Sequence, residues 1–331
     1  MPEDRRVTIR DVARKAGVSV TTVSRVLNGN GAGHMRPETE ARVLAAIEAL
    51  DYVPIRVAQR LRKQKTRVIA ILLPDISNPF FSLLARGVGS VAFEEGYSTL
   101  ICDSNHSVEK ESRYLEILLA EQVEGIIFIS VGQPNRDGLK RLLRRGIDVV
   151  VADRSVRGLP SVEADNKSGS YQLTKHLLQK GYHDIAYIAG PPEVSTASDR
   201  LSGFSAAIEN AGLKPAAVLY GNFTYKSGYE CAQEILRSSR VDAIMAANDL
   251  MAIGAIRAAE ELGLNVPRDI GVTGFDHISL LEFVQPRLTT VHIPAYEMGK
   301  KAMKLFIQRG KGRVSKKKIL LETKLIYGDS C

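Results

Sequence analysis

Thr8-Ile-Arg-Asp-Val-Ala-Arg-Lys-Ala-Gly-Val-Ser-Val-Thr-Thr-Val-Ser-Arg-Val-Leu-Asn28 is the stretch on which the reading of this chain turns. Thr8 is placed to cap a first helix, and Asp11, three residues on, completes a capping-box pattern. Ile9, Val12, Ala13 and Ala16 give that helix one apolar face. Gly17 suits the positive φ of a tight helix-to-helix turn. Ser19 then caps a second helix whose Val23, Val26 and Leu27 point inward. Val20, Thr21, Ser24 and Arg25 are left pointing outward, as on a recognition helix that meets base edges and phosphates in the major groove. Caps, turn glycine and a basic outer face agree at several levels, which an ordinary surface hairpin does not require.

Charge points the same way. The chain carries 45 Lys+Arg against 37 Asp+Glu, a net of +8. Residues 1–67 hold 14 of the basic and 7 of the acidic side chains, so +7 of the +8 lies in one fifth of the length. A basic segment joined to a nearly neutral remainder is the footprint of a nucleic-acid-binding head on a neutral body.

A third helix is expected over 36–50, with Pro37 in its first turn and Val43, Leu44, Ile47 and Leu50 on its apolar side. Pro54 ends it. A short segment with helical potential follows to Lys65, too short to be stable alone and expected to fold on DNA.

From Arg67 the pattern changes to short β-branched runs alternating with helical stretches. Strands are expected at Val68–Leu73, Thr99–Cys102, Gly125–Ile129, Asp148–Ala152, Ile185–Ala189, Ala243–Ala246, Gly271–Gly274 and Leu288–Ile293. Helices are expected between them, such as Pro79–Glu95, Glu109–Gln122, Ser168–Lys180, Ala197–Ala211 and Asp249–Leu262. Continuous apolar strands with helical crossovers mean parallel sheets buried on both faces. About 250 residues of this exceed one open sheet, so two α/β subdomains are expected, with a ligand cleft between their facing carboxyl ends.

Other classes find little support. Gly87-Val-Gly89-Ser-Val-Ala92 fits a dinucleotide fingerprint on paper but lies inside a helical stretch, where it reads as packing. There is no Walker A motif, nucleophile elbow or His/Cys metal cluster, and the six histidines are scattered, so neither an enzyme nor a cofactor or metal is expected. Cys102, Cys231 and Cys331 are widely spaced and read as reduced thiols. No apolar leader or run of membrane length is seen, so a cytoplasmic protein is expected. The basic run Lys311–Lys318 reads as a solvated loop. Without a terminal heptad repeat, no C-terminal coiled coil is expected.

Taken together, head, linker and body resemble the LacI/GalR family of bacterial transcriptional repressors. The motifs that carry the resemblance are Val18-Ser-Val-Thr-Thr-Val-Ser-Arg-Val-Leu-Asn28, Ala247-Asn-Asp-Leu-Met-Ala-Ile-Gly254 and Gly271-Val-Thr-Gly-Phe-Asp276. The resemblance implies a helix-turn-helix domain at 1–54, a hinge at 55–66 and an effector-binding and dimerisation domain at 67–331. Its first subdomain would span about 67–164 and 293–318, its second about 165–290 and 319–331. It also implies a homodimer on a pseudo-palindromic operator, with DNA affinity switched by a small molecule. By position, Val20, Thr21 and Arg25 would read bases, Arg25 by a bidentate contact to guanine. Thr8, Ser19, Thr22 and Ser24 would meet phosphates, and Asn28 belongs to the same DNA-binding set. In the hinge, Ala58 and Leu61 match minor-groove positions, Leu61 as an apolar wedge. Three departures stand out: Ile55 replaces the usual Asn at the hinge-helix start, the 28–35 loop is about two residues longer, and Arg36 replaces the usual Ser before Pro37.

In the body, Asn78, Phe80 and Phe81 follow the first strand and Asp153 and Arg154 the fourth. Arg200, Phe223, Asn248 and Asp276 fall near later strand-to-helix junctions. Aromatic faces for a C–H surface, with carboxylates and guanidiniums for adjacent hydroxyls, suit a sugar. The set resembles that of ribose-binding periplasmic proteins, with His292 where Gln is usual, and ribose or a related pentose is the first expectation. A purine or a phosphorylated protein coeffector remains an alternative; a plain sugar-binding protein would leave the head unexplained. By the same resemblance, effector closing the cleft would shift the first subdomains of the dimer, separate the hinges and release DNA. The opposite sign, corepression, stays open.

Overall fold

The computed structural model describes residues 7–27, 35–52, 66–310, 312 and 317–331. The chain separates into two compact units, Met1–Thr66 and Arg67–Cys331, each with its own core.

The first unit contains α1 (Ile9–Ala16), α2 (Val20–Leu27) and α3 (Pro37–Ala49). Thr8 donates to the Asp11 carboxylate from its backbone N–H at 3.0 Å and from its hydroxyl at 2.6 Å. Gly17 ends α1 at φ 64°, where an L side chain would be strained. The Thr22 N–H donates to Ser19 Oγ at 3.1 Å, so Ser19 caps α2. Val12, Ala13, Ala16, Val23, Val26, Val43, Ala46 and Tyr52 form the core, with Leu27, Ile47 and Leu50 packed against it. Leu44, expected on the apolar face of α3, is 53% exposed. At 100° per residue the buried face runs through Val43, Ala46, Ile47 and Leu50, and Leu44 falls off it. Arg36, at the N-cap of α3, makes no side-chain cap bond. Asn28, the long 28–35 loop up to His34, Ile55, Ala58, Leu61 and the hinge helix lie outside the described residues.

The second unit is built on two parallel sheets among the described residues. The first has the order β11-β5-β4-β3-β1-β2, from β1 (Val68–Leu73), β2 (Ser98–Asp103), β3 (Gly125–Phe128), β4 (Asp148–Asp153), β5 (Ser161–Ala164) and β11 (Lys318–Leu321). Residues alternate across it by the period of two. Ile69, Ile71 and Leu73 of β1 pack with residues of α4 (Pro79–Glu94) and α11 (Ala295–Gly310). Ala70 and Leu72 pack with residues of α5 (Val108–Ala120) and α6 (Arg136–Arg144). Gly87 lies in α4 against the Tyr296 carbonyl of α11, and Gly299 of α11 lies against the Leu84 carbonyl. Gly87 and Gly299 let the two helices touch at the backbone, so Gly87 packs as expected, while Gly89 of the same stretch meets nothing within 4 Å.

The second sheet has the order β7-β6-β8-β9, from β6 (Ile185–Ala189), β7 (Ala217–Tyr220), β8 (Ala243–Ala246) and β9 (Gly271–Thr273). Around it lie α7 (Asn166–Gln179), α8 (Ser195–Asn210), α9 (Tyr225–Ser238) and α10 (Asp249–Glu261). Gly254 lies against the Tyr225 carbonyl, bringing α9 and α10 into close contact. The chain crosses between the sheets after β5, between β10 (Thr290–His292) and α11, and between β11 and β12 (Lys324–Ile326); β10 and β12 pair antiparallel. The last crossing was expected at Lys318. Instead Lys318–Leu321 pair in register with Ser161–Ala164 of the first sheet, so it falls after Leu321.

Candidate functional site: an outward helix face and a charged cleft

On the head, the outer side of α2 carries the residues read from sequence. Val20, Thr21 and Arg25 are exposed, while Thr22 and Ser24 are half-buried. Thr22 Oγ1 lies 2.9 Å from Ser19 Oγ, so this hydroxyl shares the cap with the residue expected beside it at phosphates. The exposed Thr8 and Ser19 lie at the N-termini of α1 and α2, where N–H groups and helix dipole favour phosphate.

In the body, the carboxyl ends of the strands bring four charged groups together. Asp153 ends β4 and Arg154 follows it; Arg200 lies in the second turn of α8; Asp276 follows β9. All four are nearly fully buried. Each guanidinium nitrogen of Arg200 has a contact: Nη2 is 2.9 Å from Asp276 Oδ1, Nε donates to Asn166 Oδ1 at 2.8 Å, and Nη1 donates to the Ala247 carbonyl at 2.6 Å. Its guanidinium also lies 4.0 Å from the centre of the Phe275 ring. Arg154 Nη1 donates to the Ser130 carbonyl. Its Nε stands 3.7 Å from Asp153 Oδ2, beyond hydrogen-bond reach. Asp153 Oδ1 and Arg154 Nε are buried without a hydrogen-bond partner among the described residues.

Burial governs the protonation of this cluster. Desolvation pushes Asp276 up to about 7, with Arg200 pulling the other way and Asp153 adding to the rise. Asp153 is raised by burial against the pull of Arg154 and Arg200. Arg154 is lowered by burial and held up by Asp153, Glu111 and Asp276. Asp153 (φ 65°), Phe223 (φ 67°), Asp276 (φ 105°) and His277 (φ 57°) all hold left-handed backbone. Such strain in non-glycine residues collects at binding sites, where surrounding structure holds it in place.

The other predicted cleft residues divide by role. Asn78 Oδ1 caps α4 by accepting from the Phe80 N–H at 3.0 Å. Asn248 Oδ1 accepts from the Met251 N–H at 3.0 Å, and its amide donates to the Phe223 carbonyl at 3.0 Å. Asn78 thus caps the helix that carries Phe80 and Phe81, and Asn248 holds the loop that carries Phe223. Phe80 and Phe81 form an edge-to-face pair with centres 5.3 Å apart, both packed in the core, and Arg154 lies 5.9 Å from the Phe81 ring. Phe223 lies directly against Gly190, where a Cβ would collide with its ring. His292 is half-buried and meets His277.

Three positioning residues escaped the sequence reading. Asp249 is fully buried at the start of α10. Its carboxylate accepts from the Ile278 N–H at 2.9 Å and the Thr290 hydroxyl at 2.5 Å, pinning the loop that carries Asp276. Burial, then the charge of Asp276, hold its pKa far above the carboxylate range. Glu111 of α5 accepts from the Val131 N–H at 2.6 Å and is pushed up to about 7 by burial. Asn166 orients Arg200. Asp249 and Asn248 stand side by side in a quoted motif, yet only the tertiary structure shows that the acid, too, is enclosed. The two halves of the body also meet at the rim, where the Ser155 N–H donates to Ser195 Oγ at 3.2 Å.

Residues 8–54 match the model of bacterial regulatory proteins of the lacI family, and residues 66–326 match periplasmic binding proteins and the sugar-binding domain of that family. This chain belongs to the LacI family. The regulator is 37% identical to catabolite control protein A of Priestia megaterium over 90% of this chain and 91% of that one. It is 38% identical to the ribose operon repressor of Halalkalibacterium halodurans over 91% and 90%. Its fold superposes on the lac repressor dimer bound to operator and the anti-inducer ONPF with a TM-score of 0.87, at 29% identity over 98% and 99% of the two chains. The LacI-family regulator is thus a DNA-binding transcriptional repressor of the type that acts as a dimer and binds a small-molecule effector, and not an enzyme. Among the described residues no helix is long and apolar enough to cross a membrane.

Proposed function

We propose that this repressor reads a pseudo-palindromic operator through Val20, Thr21 and Arg25, and that ribose or a closely related pentose in the body cleft sets its DNA affinity. The observation that carries the effector reading is the pair Asp153 Oδ1 and Arg154 Nε, an acceptor and a donor on adjacent residues, buried and without a hydrogen bond. Leaving such groups unmet costs about 1–3 kcal/mol each, more for charged groups. A sugar hydroxyl both donates and accepts, so one hydroxyl or two adjacent ones satisfy both. Phe81 and Phe223 supply apolar faces for the C–H surface. Similarity to a ribose operon repressor favours the same class of ligand. The second copy is proposed to cover the exposed Leu100 and Ile101 of edge strand β2 together with the exposed Leu280 and Phe283.

A dye-based thermal shift against pentoses, hexoses, sugar acids, sugar phosphates and purines tests the effector. A ligand at about a hundred times its Kd adds roughly 2.7 kcal/mol to the folded state, a readily measured rise. A hit on ribose or a near relative, followed by a change in operator affinity with that ligand, supports the reading. A response to purines alone moves the effector to that class. A flat panel sinks the sugar assignment and turns attention to a protein coeffector, leaving the DNA-binding assignment intact.

A further inference from the structure

Two histidines fifteen residues apart in sequence meet beside the cleft. His277 follows Asp276 in left-handed backbone, and His292 ends β10 and forms a parallel bridge with Asp276. Their Nδ1 atoms are 3.4 Å apart, with ring planes at 81°. That separation is long for a hydrogen bond between two nitrogens. It is the separation of two ligands on a tetrahedral ion, since metal–nitrogen bonds of about 2.0–2.1 Å at the tetrahedral angle put the nitrogens roughly 3.3–3.4 Å apart. His277 is exposed and His292 half-buried, so an ion can reach them.

The charges around the pair set its affinity and its selectivity. A neutral imidazole offers one ring nitrogen as a metal donor, and here the two Nδ1 atoms face each other. Lys324, opposite His292 in the β10–β12 pair, opposes a cation, while Glu282 of the 3₁₀ turn Ser279–Phe283 acts on His277 in the favourable sense. No group of three or more His, Cys, Asp or Glu is placed to hold a metal among the described residues. The ion would therefore have two protein ligands and open positions for water, which makes for exchangeable rather than structural binding.

We propose that His277 and His292 form a two-nitrogen clip for a borderline divalent transition ion of the Zn²⁺, Ni²⁺ or Cu²⁺ class. Hard ions such as Mg²⁺ and Ca²⁺ prefer oxygen and are excluded by the donor set. The clip ties the loop carrying Asp276 to β10, the strand that leads into a crossing between the two halves of the body. The inference is independent of which effector the cleft takes.

The test uses the full chain, stripped with a chelator and titrated calorimetrically with ZnCl₂ and, separately, MgCl₂. One Zn²⁺ site per chain is expected, with no Mg²⁺ counterpart, and H277Q and H292Q should each weaken it at least about tenfold. Unchanged apo melting curves would show that both variants fold. If one does not fold, diethylpyrocarbonate modification of the wild-type chain, mapped by peptide, replaces it: Zn²⁺ should protect His277 and His292 together. Absence of saturable Zn²⁺ binding, equal binding in both variants, or protection confined to other histidines overturns the clip.

Discussion

Arg200 Nη2 and Asp276 Oδ1 lie 2.9 Å apart inside the body, a guanidinium from α8 against a carboxylate at the end of β9, both nearly fully buried. Asn166 and the Ala247 carbonyl anchor its Nε and Nη1, so each of the three guanidinium nitrogens has a contact. These contacts fix the guanidinium against Asp276, while Asp153 Oδ1 and Arg154 Nε are buried without a hydrogen bond among the described residues.

Replacing Arg200 with Ala strands the Asp276 carboxylate, the Asn166 amide oxygen and the Ala247 carbonyl. Breaking one side of a buried ion pair costs about 3–5 kcal/mol. Urea denaturation of the body should show a loss of that size, with a much smaller loss in a double variant that also carries Asp276→Asn. Equal losses in the single and double variants would mean that the two residues are not coupled.

Stability of the ligand-free body should depend on pH through Asp276. Its pKa is about 7 in the folded chain, above its unfolded value, so the folded state holds the extra proton between about pH 4 and pH 7. That contribution is present below the unfolded pKa and is lost as pH rises through 7. Asp276→Asn mimics the neutral acid, so its melting temperature should gain on that of the wild type between pH 5 and pH 8. Glu111, also near 7, contributes in the same direction. A gap between the two proteins that stays constant across this range would contradict the assignment.

Arg25→Ala should weaken operator binding by roughly 1–3 kcal/mol, about 5- to 150-fold, and relax the preference at one base pair of each half-site. Ser19→Ala acts differently. It removes the cap of α2, costs about 1 kcal/mol of head stability, and weakens binding to all sequences alike. Fluorescence anisotropy on operator and single-base variants separates the two patterns.

Gly87→Ala drives a Cβ into the Tyr296 backbone carbonyl, and Gly299→Ala does the same against that of Leu84. Neither neighbour is a flexible side chain, so α4 and α11 must separate. A loss of at least about 1–3 kcal/mol is expected for each. In contrast, Gly89→Ala in the same helix meets nothing within 4 Å and should be neutral or slightly stabilising. Chemical denaturation of the three variants checks the contrast.

Much of the fold was legible because its signals are local. The Thr8–Asp11 cap, Gly17 and the Ser19 cap need only nearby residues, and the strongly apolar strands β1, β3, β4, β6 and β8 announce themselves by composition. β5 (Ser161–Ala164) and β11 (Lys318–Leu321) did not stand out. Each is four residues long, and Glu163 lies buried within β5, where it meets Ser161 and Lys318. Their pairing is a long-range event that no local pattern encodes, and for that reason the last crossing was placed three residues early. Leu44 shows the same limit at the scale of one helix, where a pattern of apolar residues does not say which ones meet a partner.

For this protein the amino-acid sequence alone determined the class: a basic helix-turn-helix head on a neutral α/β body, with the motifs of the LacI family. Caps, turn glycines and apolar periodicity act over a few residues, and charge asymmetry is a property of composition. Only the tertiary structure decided the state of the cleft. It showed that Asn78 and Asn248 cap helices, that Arg200 is buried against Asp276, that Asp249 pins the Asp276 loop, and that His277 meets His292. These depend on burial and on distances between residues far apart in the chain, and desolvation and hydrogen bonding exist only once those residues are packed together.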